Sequence, residues 1–279
     1  MFENKHWWVT GASSGIGAAV AVALSQQGAR VILSGRNVEA LNAVAAQCGR
    51  EPVVVPFEAT DYAAIPSMVE RAWGAAAAKG GRIDGLVNNA GISQRSLAVE
   101  TLFDVYQKII AVDLLAPIAL TQALLPRMVQ AGGGDIVAIS SVAGLIGVPL
   151  RTAYCAAKHG LVGYHDSLRA ETAHQGIRVM VVAPGSVRTN VSRNALGATG
   201  EARGASDEAI DNGPPPEALA ARIIDGLRAG TRELVFAAGM EEELVRLRRQ
   251  NPEGLFDLMA QLVAGGYAQR MGAEKSKGG

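Results

Sequence analysis

The stretch Thr10-Gly11-Ala12-Ser13-Ser14-Gly15-Ile16-Gly17 directly follows a short β-branched and aromatic run, His6 to Val9, and opens a segment with Ile16, Ala19, Val20, Ala23 and Leu24 at helical intervals. It reads as a tight turn from a strand into a helix that Gly28 ends. A helix starting there presents unpaired N–H groups and the positive end of its dipole, and glycines let the backbone come close to a ligand. Gly11, Gly15 and Gly17 therefore mark a place for a pyrophosphate at the carboxyl edge of the first strand.

Further short apolar runs follow the same rhythm: Arg30 to Leu33, Pro52 to Val55, Ile83 to Val87, Asp135 to Ser140, Ile177 to Val182 and Glu233 to Phe236, with helical patterns between them. That alternation predicts an α/β chain: a Rossmann-type, doubly wound parallel sheet in three α/β/α layers, forming a single domain. No internal repeat and no linker interrupts it before residue 190. Residues 1–239 make up the dinucleotide-binding and catalytic part, and 240–279 read as a helical extension of it. Residues 193–216 change character, with scattered glycines and Pro214-Pro215-Pro216; they suit either a mobile cover over a site or an ordinary surface insertion.

The chemistry sits further along. Tyr154 and Lys158 are four residues apart and Ser141 lies thirteen before the tyrosine. Positions i and i+4 share one helix face, so phenol and ammonium address the same ligand. A free phenol holds its proton to about pH 10, and a neighbouring cation favours the phenolate.

Taken in order, Thr10 to Gly17, Asn88-Asn89-Ala90-Gly91, Ser141, Tyr154 with Lys158, and Pro184-Gly185-Ser186-Val187-Arg188-Thr189 resemble the short-chain dehydrogenase/reductase family over nearly the whole chain. Lys158-His159-Gly160, Thr189-Asn190-Val191-Ser192 and the tail from Pro252 to Ala260 are most similar to the branch of dehydrogenase/reductase member 7B. The resemblance implies hydride transfer between a nicotinamide and a carbonyl carbon. Tyr154 would exchange the proton on oxygen, Ser141 would steady that oxygen, and Lys158 would hold the nicotinamide ribose and tune Tyr154, all without a metal. It implies cofactor contacts from Gly11, Ser13, Ser14, Gly15, Ile16 and Gly17, from Glu58-Ala59 beside the adenine, from Asn89, Ala90 and Gly91, from Tyr154 and Lys158, and from Pro184, Gly185, Val187 and Thr189, the last meeting the carboxamide.

Cofactor choice falls to Ser34-Gly35-Arg36-Asn37, where an acid would bind the ribose diol and an arginine the extra phosphate. Arg36 is present and no carboxylate appears before Glu39, so NADP(H) is expected ahead of NAD(H). The family's fourth catalytic position, usually asparagine, is Asp113 here. A carboxylate only accepts hydrogen bonds, so a proton relay from Lys158 must be reorganised, with Asp113 pairing Lys158 through water; alternatively, helix-bending geometry alone is what the position requires.

Composition narrows the rest. The 279 residues are 49% hydrophobic and carry 26 lysines and arginines against 26 acids, so no net field draws the chain to nucleic acid or to an anionic membrane. Two cysteines, Cys48 and Cys155, are too few for a disulfide framework, and Trp7-Trp8-Val9 leads straight into the glycine turn without a signal-like segment, so a cytoplasmic protein is expected. The longest apolar stretch, Ile109 to Leu125, is broken by Asp113 and Pro117, which argues against a spanning helix. His6, His159, His165 and His174 lack metal-ligand spacing, so no metal is expected. Arg95 and Arg151 offer cations to an anionic substrate, although solvation or pairing is the commoner fate of arginines and is expected here.

Val142, Leu145, Val148 and Pro149, with the 193–216 segment, are expected to line a pocket for a hydrophobic ketone or secondary alcohol. The two long helices around Thr101 to Val129 and Thr152 to His174, with Ala156, Ala157, Gly160 and Gly163 allowing close approach, predict a homodimer. The tail, with Leu255, Leu258, Met259 and Leu262 at helical spacing, is expected to cover the second interface.

Overall fold

A computed structural model describes residues 1–269 of the chain. Its strands are β1 (His6–Thr10), β2 (Arg30–Ser34), β3 (Val53–Val54), β4 (Ile83–Asn88), β5 (Gly134–Ile139), β6 (Ile177–Pro184) and β7 (Glu233–Phe236). They form one seven-stranded sheet in the order β3-β2-β1-β4-β5-β6-β7, parallel at every pairing. Between and after them run α1 (Gly15–Gln26), α2 (Val38–Ala45), α3 (Ile65–Ala77), α4 (Phe103–Ile110), α5 (Ala116–Gln130), α6 (Thr152–Thr172), α7 (Glu208–Asp211), α8 (Pro216–Ala229), α9 (Met240–Gln250) and α10 (Pro252–Ala264).

A parallel sheet needs cover on both faces, which is why all of β1 is buried. Successive side chains point to opposite faces. Trp7 and Val9 enter the layer with Val20 and Leu24 of α1 and Leu219 and Ile223 of α8, while Trp8 enters the other with Val69 of α3 and Leu120 and Leu124 of α5. The chain leaves β1 toward β2 and β3, then returns to β4 on the other side, so the crevice at the carboxyl ends of β1 and β4 is the topological switch point where such sheets bind ligands.

Two local features shape the site. Between α4 and α5 the helix widens into a π-turn at Ala111–Leu115. Pro117 explains it: proline has no N–H, so the carbonyl of Asp113, four residues earlier, loses its α-helical donor and the turn relaxes. The continuous helix Phe103–Gln130 is 28 residues, long and apolar enough to cross a bilayer by length and composition, but its inner face is sheet-covering core and it carries buried Asp113. That gives no clear membrane span. The second feature is the end of the chain: Leu255 of α10 and Leu244 and Val245 of α9 are buried with Val142 and Ile146, so the extension joins the main body just beyond β5. The part of the predicted extension from 270 to 279 lies outside the described residues.

Candidate functional site

The glycine turn is held by one hydroxyl and one side-chain amide. Thr10 Oγ1 accepts from the N–H groups of Asn89 and Ala90 at 3.0 and 3.2 Å, and the Asn89 amide donates to the carbonyls of Thr10 and Gly11 at 3.0 and 3.2 Å. Gly11 has φ +62°, and a Cβ on Gly17 would stand 2.3 Å from the Gly11 carbonyl oxygen, so neither position accepts a side chain without moving the turn. At the start of α1 the N-cap residue Ser14 makes no side-chain capping bond, and the first turn carries no acid. Its N–H groups therefore remain open to a diphosphate. Ser13 approaches Gly35, Gly15 faces Thr189 across the cleft, Ile16 packs against the core and Val187 is buried. Asn89 thus serves first as a brace for the glycine turn.

At the end of β2, Arg36 is three-quarters exposed and its guanidinium lies 3.6 Å from Glu58. Glu58 also accepts from the Thr60 amide and hydroxyl, which fixes the loop carrying Ala59. Asn37 caps α2 through the Ala40 N–H at 3.0 Å.

The titratable residues converge at the carboxyl ends of β4 and β5. Lys158 is buried; its Nζ donates to the Ile139 carbonyl at 3.1 Å, lies 3.2 Å from Asp113 Oδ2 and sits 5.6 Å from the centre of the Tyr154 ring. Asp113 is fully buried and accepts from the Ile92 N–H at 2.8 Å. Burial alone would push the Lys158 ammonium down, but the Asp113 carboxylate and Tyr154 together outweigh it and hold its pKa above the ordinary lysine value. Burial likewise pushes Asp113 up, against the pull of Lys158 and the Ile92 amide. The contact between Asp113 and Lys158 is direct, which corrects the water-bridged arrangement expected from sequence, and the same residue occupies the π-turn.

Gly91 closes over this pair, since a Cβ there would lie 3.0 Å from Asp113 Oδ2. Ser141 Oγ accepts from the Ala143 N–H at 3.2 Å and donates weakly to the Pro184 carbonyl at 3.3 Å. Ser140 is turned away onto the Lys158 carbonyl at 3.1 Å.

Beside Ser141 opens a cavity of about 860 Å³. Val142, Val148 and Pro149 line it as expected, but Ile146 takes the place given to Leu145, which packs into the cluster behind. Met240 and Leu244 of α9 and Met259 and Leu262 of α10 complete the wall. The tail therefore covers the cavity. The 193–216 segment is docked along residues 93–102, through Arg95 N to Leu196 O at 2.8 Å and Leu102 N to Ala198 O at 2.9 Å, and brings Asp207, Ile210 and Pro214 to the cavity. Arg95 and Arg151 do not sit as ordinary exposed cations: Arg95 is buried, and both bond to Asp207, which also receives Arg203.

Three residues here carry no sequence signal. Gln94 accepts from the Ala153 N–H at 2.8 Å and so fixes the start of α6, the helix of Tyr154 and Lys158. Asp207 gathers the arginines. Glu241, in the first turn of α9, accepts from the Ser186 N–H at 2.8 Å and hydroxyl at 2.9 Å, tying the loop after Pro184 and Gly185 to the tail. Gly160 also has an internal use: a Cβ there would come 2.9 Å from Leu114, so its small size seats the π-turn; of the four small residues expected at a dimer face, Ala156 and Gly163 are the exposed ones.

The short chain dehydrogenase family description matches residues 5–198. Dehydrogenase/reductase SDR family member 7B of Bos taurus is 37% identical over 261 residues, covering 90% of this chain and 79% of the relative. Among solved structures, a short-chain dehydrogenase/reductase from Burkholderia phymatum in complex with NAD has a TM-score of 0.80 at 20% identity, covering 90% of this chain and 95% of its own. A short chain dehydrogenase from Burkholderia cenocepacia in complex with NADP has a TM-score of 0.78 at 23% identity, covering 93% and 98%. The chain belongs to the short-chain dehydrogenase/reductase family, in the branch of member 7B, and is an oxidoreductase acting on CH–OH and C=O groups.

Proposed function

We propose that this enzyme is an NADPH-dependent reductase of hydrophobic ketones, reversible as a secondary alcohol dehydrogenase. The observation that carries the reading is Lys158 against the Tyr154 ring at the carboxyl edge of the sheet, with Ser141 at the end of β5 and a largely apolar cavity opening at its neighbour Val142. The open N–H groups of α1 and the close approach at Gly11 and Gly17 fit a dinucleotide diphosphate. A nicotinamide held there would supply or accept the hydride. Tyr154 gives its hydroxyl proton to the carbonyl oxygen as that oxygen gains charge, and takes it back in the oxidative direction. Ser141, whose bond to Pro184 is long, turns its hydroxyl to the same oxygen. Lys158 fixes the electrostatics around the phenol and donates to the ribose, while Asp113 and the Ile139 carbonyl hold its chain in place.

Arg36 at the end of β2 supports the phosphorylated cofactor. The Arg36–Glu58 contact supports a second reading, NAD(H), because Glu58 then neutralises the arginine and no phosphate is needed. Exposure of the Phe103–Gln130 helix supports a homodimer with a second copy against this face and α6: only 39% of its most apolar window is buried within one chain, and Leu115 is 45% exposed. Light scattering at micromolar concentration checks this; a stable tetramer or a monomer rejects it.

The deciding experiment follows NADPH and NADH oxidation against medium-chain ketones in wild type and Tyr154→Phe. The expected result is NADPH-linked turnover that falls by about 10²- to 10⁴-fold in the variant, with cofactor affinity unchanged. Equal rates in both proteins would remove Tyr154 from the chemistry, and tight cofactor binding without turnover in wild type would replace the enzyme reading of this site with a binding one.

A further inference from the structure

We propose that the substrate cavity carries an oxyanion subsite, built by Arg95 and Arg151, that takes the anionic end of an amphipathic carbonyl substrate; it rests on the reductase reading above and extends it to substrate class. A largely apolar cavity does not need guanidinium groups, and burying them is costly unless every donor is answered. Here they are not answered. The side chains of Arg95 and Asp207 are 6% and 3% exposed, and that of Arg151 is 18% exposed. Arg95 reaches Asp207 through Nε at 3.3 Å and through Nη2, and Arg151 reaches it through Nη2 at 3.4 Å. Arg95 Nη1 and Arg151 Nε are buried and have no acceptor among the described residues.

The carboxylate between them is already shared. Asp207 also receives Arg203, so the two cavity arginines hold only part of one acid. The other carboxylates on the cavity wall do not supply the deficit: Glu241 is engaged by Ser186, and Glu208 is exposed and forms no ion pair with either arginine among the described residues. An oxyanion placed between the two guanidiniums completes the arrangement, because planar N–H forks match carboxylate and phosphate oxygens in pairs.

Its position suits a substrate. Arg151 immediately precedes α6, three residues before Tyr154, and Arg95 follows Gln94, whose carbonyl oxygen fixes the first turn of that helix. Both arginines are thus referenced to the helix that bears the phenol. The opposite part of the cavity, under Met259 and Leu262, is apolar. A molecule with an anionic head at the arginines and an aliphatic tail beneath α10 is the one whose chemistry matches both ends. A neutral ketone fills the apolar part and leaves the guanidinium donors unmet.

Binding to the full chain decides the matter without depending on turnover. Calorimetric titration with decanoate, decyl phosphate and decanol, below their aggregation limits, is expected to show at least one anion binding ten-fold or more tighter than the alcohol. In Arg151→Met that margin falls at least ten-fold while decanol affinity stays within two-fold; Arg95→Met does the same if its melting curve shows a folded protein. The anion with the larger loss identifies the head group. Equal affinity of all three ligands for wild type overturns the subsite, as does a margin that survives in both variants. A kinetic arm, comparing a medium-chain keto acid with its methyl ester, separates the two readings. Reduction of the ester with no anion margin sinks the subsite alone, and an anion margin with no reduction of either compound leaves the subsite standing and sinks the reductase.

Discussion

The glycine turn at the end of β1 and the apolar cavity next to Val142 are made of different material. At the glycine turn, Gly11 to Gly17 present backbone that the Thr10 hydroxyl and the Asn89 amide brace, with no room for a Cβ at Gly17. The cavity is assembled from side chains that arrive from five separate segments, at 95, 142–151, 186, 207–214 and 236–267. A main-chain site binds what every member of a fold must bind, because backbone groups are insensitive to most substitutions. A side-chain site binds what one chain has come to prefer.

The largest effect expected from this contrast is under the side-chain half. His165 on α6 is wholly buried, with Nδ1 on the Leu161 carbonyl at 2.8 Å. Burial first, and then the Arg169 and Lys158 cations, lower its pKa to about 4 from the ordinary value of 6.5. A depressed folded-state pKa means that the unfolded chain takes up the proton first. Stability is therefore full above pH 6.5 and is lost as pH falls toward about 4, by about 3 kcal/mol over that window. Thermal melts across the window should show the loss, and His165→Gln should flatten it. An acid response unchanged in that variant would place the weakness elsewhere, for instance at buried His6, whose pKa burial also lowers.

A smaller effect tests whether side chains intrude on the main-chain half. Arg36→Asp should reverse cofactor preference, with the ratio of NADPH to NADH affinities falling by about ten-fold or more, the scale of one charge-assisted hydrogen bond. Because Arg36 and Glu58 are both well exposed, their pairing is worth little and should not resist a phosphate. A ratio that does not move would mean that the choice is made by backbone and shape alone, and would sharpen the contrast instead of blurring it.

Smallest is the change at the boundary. Asp113→Asn removes the carboxylate that, with Tyr154, outweighs burial at Lys158, so the lysine pKa should fall below its ordinary value, while the ammonium that remains acts on the phenol without an opposing charge beside it. The acid limb of the alcohol-oxidation profile should then move to lower pH by about one unit or less, an effect worth at most about 1.4 kcal/mol. A profile that stays in place while the melting temperature drops would assign Asp113 to the π-turn geometry only.

The same division explains what could be read from the sequence. The sheet, the glycine turn and the Ser141, Tyr154 and Lys158 spacing announce themselves because strands, helix faces and backbone turns leave periodic or glycine marks. The π-turn also had a mark, Pro117 four residues after Asp113, and its meaning lies in the proline's missing N–H. Gln94, Asp207 and Glu241 had none. Glu241 is one of three successive glutamates, and only the docking of α9 separates it from Glu242 and Glu243. Arg95 and Arg151 were visible as cations, but their burial depends on a segment more than fifty residues downstream.

The clasp between Glu241 and Ser186 reaches beyond this one chain. A Cβ on Gly185 would fall 2.0 Å from the Glu241 carboxylate, at the mobile end of a long side chain instead of against fixed backbone. Such a replacement would unfasten the clasp while leaving the fold intact. Across descendants of this enzyme the two positions should therefore be inherited as a unit: a lineage that gives up the glycine must also find another fastening, and one that discards the helical tail is free to lose both.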